Sequence, residues 1–495
     1  RSRLKLKLTQ PFAISAFAAM VLVARKRCPA VGKSRAVCSM RQGQRGGQLK
    51  HVKKPAKLFT GRRKKLLQEH VAVMRKACRQ GMIHGCATTV IHQGRVVYRE
   101  AFGQSDLEHR KAFKHDSICR LYCQTKAYTL FVAGMLADKG LLEPDAPVSK
   151  YIPSMRGMTV LPLCKPEESP GSSPKIRAAK AKVVMRVRHL MTHTAGLGYM
   201  PSFGYPASES EQRYQGLLEG VASGRLRSLA AFVDELAKIP LLFEPGLRYE
   251  YGHSIDVLGR VLEVASGKDL AALMQEALFK PLGMHDTGFS VARSKLARLS
   301  GLYGNAKTWG YLYGSVKGAV PSAKKPGLVR IDGASPKESK WAAGRTRVLA
   351  GGGYIGDNEG GLVSTVKDTE AFVHMLLARG CTPDGTRLIS ESTLSQMERN
   401  QLVGSWRPRP WNPVGGQRWC MLGDMVKDDR SLYYQQGGAG GNYFLVDRRR
   451  DLGIIMYLQQ VDGDEWETLG VKPERAEIDQ LMRAVVDEVD KSCRA

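Results

Sequence analysis

A cysteine and a lysine stand three residues apart in the stretch SICRLYCQTKAYTL, residues 117 to 130. Apolar residues follow at helical spacing, so Cys123 and Lys126 are predicted to lie on one helix face, with Cβ atoms about 5–6 Å apart. A lysine held in an apolar pocket could accept a proton from a neighbouring nucleophile. A lysine that stays charged would instead favour a cysteine thiolate. Taken alone, the two residues favour the plainer interpretation of a surface lysine beside a buried thiol.

Two other patterns that can carry chemistry lack the context they require, and a third is absent. GGGYIG at residues 351 to 356 fits a dinucleotide-binding motif, but DNEGG follows it where a βαβ unit needs a helix. HLMTH places His189 and His193 four residues apart, yet no glutamate or third ligand stands at metal-site spacing, which favours structural histidines. The chain has no G-x-S-x-G sequence, and hence no nucleophile elbow of the α/β-hydrolase type.

The context of Cys123 is far more specific than the pair itself. The surrounding stretch reads ICRLYCQTKAYTLFVAGMLADKGLLEPDAPVSKYIPSM. Five further blocks follow in order: VRHLMTHTAGL (187–197), FEPGLRYEYGHSIDVLGRVLEVASG (243–267), PLGMHDTGF (281–289), EGGLVSTVKDTEAFVHMLLARG (359–380) and GGAGGNYFLVD (437–447). Together these blocks resemble the serine β-lactamase and penicillin-binding-protein superfamily around its S-x-x-K helix. The branch they look most like contains class C β-lactamases, related esterases and the acyltransferase of lovastatin biosynthesis.

The resemblance implies a catalytic role for three residues. The family's nucleophilic serine falls on Cys123 and its lysine falls on Lys126. The tyrosine that shares proton transfer with this lysine falls on Tyr251. A lysine cation beside a phenol favours the phenolate, which can then act as a base.

The resemblance also implies an oxyanion-binding strand. The family's third motif falls on Gln436, Gly437 and Gly438, on the edge strand that faces the nucleophile. Glycine there lets a substrate approach the backbone closely. The oxyanion would be held by the backbone N–H groups of Cys123 and Ala439. The resemblance implies no metal and no organic cofactor.

The sequence departs from the family pattern in several places. Cys123 stands where the family has serine, and Gln436 stands where relatives carry Lys, His or Trp. The family's Tyr-Ser-Asn pattern becomes Tyr251, Gly252 and His253. Cysteine is a competent nucleophile, so acyl transfer can persist, with the lysine and tyrosine stabilising a thiolate instead of acting as a general base. The cysteine equally fits a protein that has lost activity.

The positive charge of the chain is concentrated near its first residue. The net charge is +30 over 495 residues, and residues 1–65 hold 19 Lys and Arg and no Asp or Glu. The apolar run from Pro11 to Ala24 has 14 residues, whereas a membrane span needs about 20. With basic flanks, the run resembles a signal or organelle-targeting segment or an interfacial anchor. A disordered basic tail is the alternative.

This extension bears on localisation and partners. It favours an organelle-targeted (mitochondrion or plastid) or membrane-associated protein over a plainly cytosolic one, and it could bind an acidic membrane surface or a protein assembly. No zinc finger, helix-turn-helix or other nucleic-acid module follows it, so nucleic acid is not indicated as a partner.

The ten cysteines contain no CxxC pair, which favours free thiols over a metal or disulfide framework. The chain begins at Arg1 without Met, which is an expected feature of a processed form or a fragment.

The elements that must position these residues indicate an α+β fold. CATTVIHQGRVVYREAFGQ predicts an antiparallel hairpin about its HQGR turn, and YFLVDRRRDLGIIMYLQQ predicts a second hairpin late in the chain. Helices are predicted at residues 66–83, from Cys123 to Gly140, and over ERAEIDQLMRAVVDEVD near the end. Strands at both ends with helices between predict that the first and last strands share one antiparallel sheet.

The predicted domain spans residues 66–490, after the basic extension 1–65. Pro-, Ser- and Lys-rich residues 161–182 indicate a surface insertion, and residues 296–347 indicate a long loop or lid. The resemblance implies a β-lactamase-like fold, an antiparallel sheet flanked by helices plus a mainly helical subdomain. The nucleophile helix is expected at their junction.

The leading functional interpretation is a hydrolase or acyltransferase that acts through an acyl-enzyme on a small-molecule ester, thioester or amide. Hydrolysis of β-lactams is the least favoured activity, because nothing in the sequence marks a group that activates water for deacylation. The alternative is a catalytically inactive pseudoenzyme that serves as a scaffold or assembly subunit. The sequence leaves the acyl group and its acceptor open.

Overall fold

The protein is described by a computed structural model that covers residues 62–162, 178–198, 209–304, 328–332, 351–352, 361–402, 418–425 and 433–461. Helix α1 (Arg62–Arg79) begins four residues before the predicted start of the domain. The rest of the predicted basic extension and the predicted helix at 474–490 lie outside the described residues. In the described part of the chain, no helix is both long and apolar enough for a membrane span.

A large antiparallel sheet forms the centre of the fold. Over the described residues it has eight strands in the order β10-β11-β12-β13-β14-β1-β2-β3, and every neighbouring pair is antiparallel. These strands are β1 (Gly85–His92), β2 (Arg95–Asp106), β3 (Lys111–Ala112), β10 (Arg418–Cys420), β11 (Gly423–Met425), β12 (Tyr433–Gly438), β13 (Asn442–Asp447) and β14 (Leu452–Tyr457).

The two predicted hairpins and their shared sheet are confirmed. Gln93 and Gly94 join β1 to β2 with φ angles of 51° and 68°, the left-handed backbone that a two-residue hairpin turn requires. Strand β1 also pairs with β14, with Ala87 opposite Tyr457. The first hairpin is therefore hydrogen-bonded directly to the last one, so segments near the two ends of the described chain lie side by side in one sheet.

Helices cover both faces of this sheet. Helix α1 packs on one face, where Met74 and Ala77 join a buried cluster with Val90 and Leu445. The other face carries α2 (Thr125–Asp138), α8 (Val366–Leu377) and α9 (Glu391–Met397). A further helical group adjoins α2, as predicted for the helical subdomain. It comprises α3 (Val187–Met191), α4 (Glu209–Ala222), α5 (Leu229–Leu236), α6 (Ser254–Ser266) and α7 (Leu270–Met274).

Helix α2 lies at the junction of the two halves, as expected. Its residues from Thr125 to Leu136 are all buried, which is typical of a helix surrounded by other elements. The ring of Tyr128 lies 4.5 Å from that of Phe372 on α8 and 6.1 Å from that of Phe279, just beyond α7. The helix ends before Gly140, whose φ of +70° is the usual stop for a helix.

Short strands occur inside the two segments predicted as an insertion and a loop. Ala179–Lys180 (β6) pairs with Thr159–Val160 (β5) at the end of the predicted insertion. Tyr303–Gly304 (β7) pairs with Val329–Arg330 (β8) and with Gln460–Val461 (β15) in the predicted lid region. Cys119–Arg120 (β4) pairs with Val363–Ser364 (β9) immediately before the nucleophile position.

Replacement of Phe372 by alanine tests this core. Phe372 contacts Tyr128 of α2 and packs edge-on at 5.8 Å against Phe444 of the sheet, so its loss leaves a cavity between the layers. We expect Phe372→Ala to lower the free energy of unfolding by about 3–5 kcal/mol in urea denaturation. The surface control Val264→Ala, at a side chain 39% exposed, should change it by less than about 1 kcal/mol. A loss below about 1 kcal/mol for Phe372→Ala would contradict the packing described.

Candidate active site

The nucleophile position lies on a short, strained connection between a strand and a helix. Cys123 is the middle residue of a 3-10 helix, Tyr122–Gln124, that leads directly into α2. Tyr122 is buried and has a φ of +50°, a left-handed backbone that aromatic residues rarely adopt. Such backbone strain persists only where surrounding contacts enforce it, and it clusters at functional sites. Cys123 itself is half-buried and carries a free thiol.

The segment just before β9 holds this connection from one side. The backbone N–H of Leu121 donates to the carbonyl of Leu362 at 2.8 Å, and the N–H of Leu362 donates to Oγ1 of Thr125 at 3.0 Å. Gly361 has a φ of +89°, and a Cβ built on it would lie 2.6 Å from Oγ1 of Thr125. Only glycine therefore fits at this position. Gly361 and Leu362, the first two described residues of the EGGLVS block, thus support the start of α2.

Side-chain amides hold the connection from the sheet side. Gln459 is fully buried, and its Oε1 accepts from the backbone N–H of Arg120 at 2.8 Å while its Nε2 donates to the carbonyl of Arg120 at 3.1 Å. The Nδ2 of Asn442 donates to the same carbonyl at 2.5 Å. The guanidinium of Arg120 is also buried and pairs with Asp332. Sequence reasoning missed Gln459, Asn442 and Asp332, because none of them carries a local signal of this contact.

The predicted third motif lies against the nucleophile connection, but the prediction of an edge strand is wrong, because β12 pairs with β11 on one side and β13 on the other. Gly438 ends strand β12, and a Cβ built on it would overlap the carbonyl oxygen of Leu121 and lie 3.3 Å from Cβ of Tyr122. This strand end can therefore approach so closely only because residue 438 is glycine. Ala439 follows in the exposed turn between β12 and β13, and Gly437 is half-buried. Gln436 is buried on the same strand.

The structure brings Lys126 and Tyr251 together. Lys126 lies in the first turn of α2, one turn beyond Cys123, and its side chain is fully buried. Its Nζ lies 4.7 Å from the centroid of the Tyr251 ring, within the range of a cation–π interaction. Tyr251 is half-buried in the loop that leads into α6. A buried ammonium group and a phenol are therefore adjacent beside the nucleophile position.

His193 is a further part of this site, although the sequence favoured a structural histidine. Its fully buried ring stacks on Tyr251, with 4.9 Å between centroids and an interplanar angle of 25°. Burial, together with the nearby charge of Lys126, holds the pKa of His193 well below its ordinary value. The imidazole is therefore neutral at neutral pH. The position of His193 in the VRHLMTHTAGL block was the only signal for it.

The other histidine of HLMTH serves a local structural purpose. Nδ1 of His189 accepts from the backbone N–H of Arg186 at 3.2 Å, at the start of α3. Burial and the charges of Arg188 and Arg186 lower the pKa of His189 to about 4. Within the described ranges, no group of three His, Cys, Asp or Glu residues could hold a metal ion.

The altered Tyr-Gly-His pattern has a steric explanation. A Cβ on Gly252 would lie 2.5 Å from the carbonyl oxygen of Gly198 and would also overlap that of Leu197. His253 is fully buried and its Nδ1 lies 2.9 Å from Oδ2 of the equally buried Asp256. A serine at position 252 would therefore not fit, and the histidine that follows is engaged with Asp256.

The described part of GGGYIG packs between helices. A Cβ on Gly352 would lie 2.8 Å from Cγ2 of Thr129 on α2 and 3.1 Å from Cα of Gly259 on α6. Oγ1 of Thr129 donates to the carbonyl of Gly352 at 2.6 Å. These contacts give the glycine at 352 a packing function at the back of the site.

Comparison with known proteins identifies the family to which these features belong. The family model described as Beta-lactamase matches residues 63–470. The chain belongs to the Beta-lactamase family. The resemblance read from the sequence blocks is therefore confirmed, and the match covers the described structure from residue 63 onward.

Several curated relatives are similar to this Beta-lactamase family member. Protein Rv1367c of Mycobacterium tuberculosis (strain ATCC 25618 / H37Rv) is 28% identical over 409 residues, 80% of this chain and 90% of that protein. Esterase EstB of Burkholderia gladioli is 33% identical over 218 residues, 44% of this chain and 50% of the esterase. Monacolin J acid methylbutanoyltransferase of Aspergillus terreus is 29% identical over 224 residues, 44% of this chain and 50% of the transferase. The relatives with a stated activity thus include an esterase and an acyltransferase.

Solved structures confirm the predicted β-lactamase-like fold. EstCE1, a hydrolase with promiscuous acyltransferase activity, superimposes with a TM-score of 0.59 at 21% identity, covering 81% of this chain and 94% of that one. Unliganded Simvastatin Synthase (LovD) from Aspergillus terreus gives a TM-score of 0.58 at 21% identity, covering 80% and 93%. At this level of identity the likeness concerns the fold.

Replacement of Gly438 by alanine tests the close approach of the third motif. The added Cβ would overlap the carbonyl oxygen of Leu121, so the strand and the nucleophile connection must separate. We expect Gly438→Ala to lower the melting temperature and to abolish any ester turnover by the protein. Gly216→Ala on helix α4 is the matched control, because nothing lies within 4 Å of its Cβ. Since alanine favours a helix over glycine by about 1 kcal/mol, the control should raise the melting temperature.

The pH dependence of stability tests the environment of His193. The unfolded chain takes up a proton at this histidine as the pH falls through about 6.5, whereas the folded state, with its lowered pKa, does not. Stability is therefore lost as the pH falls below about 6.5. We expect His193→Phe, which keeps the aromatic stack, to lose less stability between pH 7 and pH 5 than the wild type. The difference should reach up to about 2 kcal/mol in urea denaturation. Identical losses in both proteins would show that His193 titrates normally.

Proposed function

We propose that the protein is an acyl-transfer enzyme in which Cys123 forms a thioester acyl-enzyme with a small-molecule ester or thioester. The observation that carries this proposal is the buried Lys126, whose Nζ lies 4.7 Å from the ring centroid of Tyr251, one helical turn beyond Cys123. Full burial of a charge is costly in free energy, which favours a functional reason for a lysine at this position. The esterase and acyltransferase among the relatives support this reaction class.

In the first half-reaction the Sγ of Cys123 attacks the carbonyl carbon of the acyl donor. A proton on the thiol passes to the phenolate form of Tyr251, which the Lys126 ammonium group favours, and the carbonyl π electrons move to the oxygen. The backbone N–H groups of Cys123 and Ala439 donate hydrogen bonds to this oxyanion. When the intermediate collapses, the bond from carbon to the leaving oxygen or sulfur breaks. The leaving group takes the proton from Tyr251, and the acyl group stays on Sγ.

In the second half-reaction an acceptor attacks the thioester. The acceptor's O–H or N–H proton passes to the Lys126–Tyr251 pair as its oxygen or nitrogen bonds to the acyl carbon. The bond from carbon to Sγ then breaks and Cys123 leaves as a thiolate, which the adjacent ammonium group stabilises. Water as acceptor gives hydrolysis, whereas an alcohol or amine gives acyl transfer.

The neutral state of His193 fits this assignment. An imidazolium stacked on Tyr251 would repel the Lys126 ammonium and favour the loss of its proton. Because burial keeps the pKa of His193 low, the imidazole remains an uncharged aromatic surface against the phenol ring. The single positive charge of Lys126 can then stabilise the thiolate and the phenolate in turn.

Selective alkylation of Cys123 tests the proposal. Burial raises the pKa of Cys78 to about 11 and that of Cys86 and Cys119 above their ordinary values, so these thiols stay protonated at neutral pH. We expect iodoacetamide at pH 7 to modify Cys123 faster than these three, as measured by peptide mass spectrometry. We further expect p-nitrophenyl butanoate to give a mass increase of one butanoyl group on Cys123.

Three variants complete this experiment. Lys126→Met should slow alkylation of Cys123 and reduce p-nitrophenyl ester turnover at least about 100-fold, because thiolate partner and base vanish together. Lys139→Met, at the exposed end of the same helix, is the matched control and should change neither. Cys123→Ser should be labelled by a fluorophosphonate, since it restores an S-x-x-K sequence. Ordinary alkylation of Cys123 with no acyl-enzyme in any of these proteins would instead support a catalytically inactive scaffold.

A further inference from the structure

Gln436 projects from the sheet toward the layer that contains the nucleophile. In an antiparallel pair, residues directly opposite each other share a face, and Gln436 stands opposite Phe444. The ring of Phe444 packs edge-on against Phe372 of α8, on the face of the sheet that carries α2. The side chain of Gln436 therefore lies on that face as well.

The same strand places Gln436 within reach of a bound substrate. Gly438 lies two residues further along β12, so it shares this face, and it contacts Leu121 next to Cys123. Two residues of a strand span about 7 Å. A ligand group that meets the Gln436 amide is therefore separated by several bonds from the carbonyl carbon at Cys123.

The amide of Gln436 has one hydrogen-bonding atom that the described protein leaves unused. The side chain is only 4% exposed, and its Nε2 donates to the carbonyl of Gly437 at 3.1 Å. Its Oε1 is buried and has no hydrogen-bond partner in the described parts of the chain. The opposite amide orientation would set Oε1 against the carbonyl of Gly437, acceptor against acceptor, so the orientation is fixed. Buried acceptors without a donor are rare and costly.

We propose that Gln436 determines specificity by accepting a hydrogen bond from an uncharged O–H or N–H group of the substrate. The inference rests on the proposed acyl-transfer function and names the chemistry of the substrate at the same site. A carboxylate at this place would present only acceptors to Oε1, and the buried position of Gln436 disfavours a charged group of either sign. The site therefore selects a substrate with a neutral donor several bonds from the reacting carbonyl, on the acyl group or on the acceptor molecule.

Matched substrates that differ in one donor test this assignment on the acyl side. We would compare p-nitrophenyl esters of ω-acetamido acids with those of ω-acetoxy acids, at chain lengths of two to six methylenes. Each pair replaces one N–H by an oxygen and keeps the shape. We expect kcat/KM to favour the acetamido ester at least about tenfold at one or two chain lengths. The preference should fall to about one in Gln436→Leu.

A second arm tests the acceptor side. With p-nitrophenyl butanoate as acyl donor, transfer to 1,4-butanediol would be compared with transfer to 4-methoxybutan-1-ol by product analysis. A preference for the diol that is lost in Gln436→Leu places the donor on the acceptor molecule. A preference confined to the first arm places it on the acyl group.

Gln435→Leu is the matched control for both arms. Gln435 is the adjacent, half-buried glutamine, and it stands opposite Leu445, which belongs to the cluster on the other face of the sheet. Its replacement should leave both substrate ratios unchanged. Absence of any donor preference in the wild type, or its survival in Gln436→Leu, would overturn the role of Gln436 while ester turnover still upholds the proposed function.

A binding measurement separates failure of the two proposals. If the wild type turns over no ester, the proposed function fails, and the unreactive N-methylamides of the same ω-acetamido and ω-acetoxy acids would be titrated by NMR. Tighter binding of the acetamido compounds to the wild type than to Gln436→Leu would still uphold the hydrogen bond. Equal binding of both series to both proteins would refute it.

Discussion

The site depends on one constraint, the need to satisfy the buried backbone of the connection that carries Cys123. This connection belongs to no long strand or helix, so its N–H and C=O groups require partners from elsewhere. They find them in the side-chain amide of Gln459, the side chain of Asn442 and the backbone of Leu362. These partners come from the end of the sheet and from the segment before α8, so the nucleophile is fixed only when those parts have assembled around it.

Close approach of backbones is a recurring feature of the site. Gly438 touches the nucleophile connection, Gly361 fits beneath the start of α2, Gly252 meets the carbonyls of residues 197 and 198, and Gly352 lies between α2 and α6. In each case a Cβ would collide with a neighbouring atom. The glycines therefore allow the sheet, the nucleophile helix and the helical group to meet at one point. Their density explains why a stretch such as GGGYIG resembles a nucleotide-binding motif without its βαβ context.

The charge states of the groups in the site follow from that tight packing. Lys126 carries a charge into a fully buried position, where the faces of aromatic rings replace part of its hydration. The neutral ring of His193 supports Tyr251 from its stacked position without adding a second charge. A thiol beside such a site loses its proton far more readily than a hydroxyl would, because a thiolate is a far more stable anion than an alkoxide. Cysteine at position 123 is therefore compatible with the lysine and tyrosine that surround it.

The sequence by itself determined the local elements and the order of the family blocks. The turn at Gln93 and Gly94, the glycine stop after α2 and the one-turn spacing of Cys123 and Lys126 all follow from short-range rules of backbone and helix geometry. The tertiary structure alone decided that His193 stacks on Tyr251 and that Gln459 holds the backbone before Cys123. It also decided that Gln436 buries an unpaired oxygen. These contacts join residues far apart in the chain. They form only when the distant segments have packed together, and hydrophobic periodicity describes local structure alone.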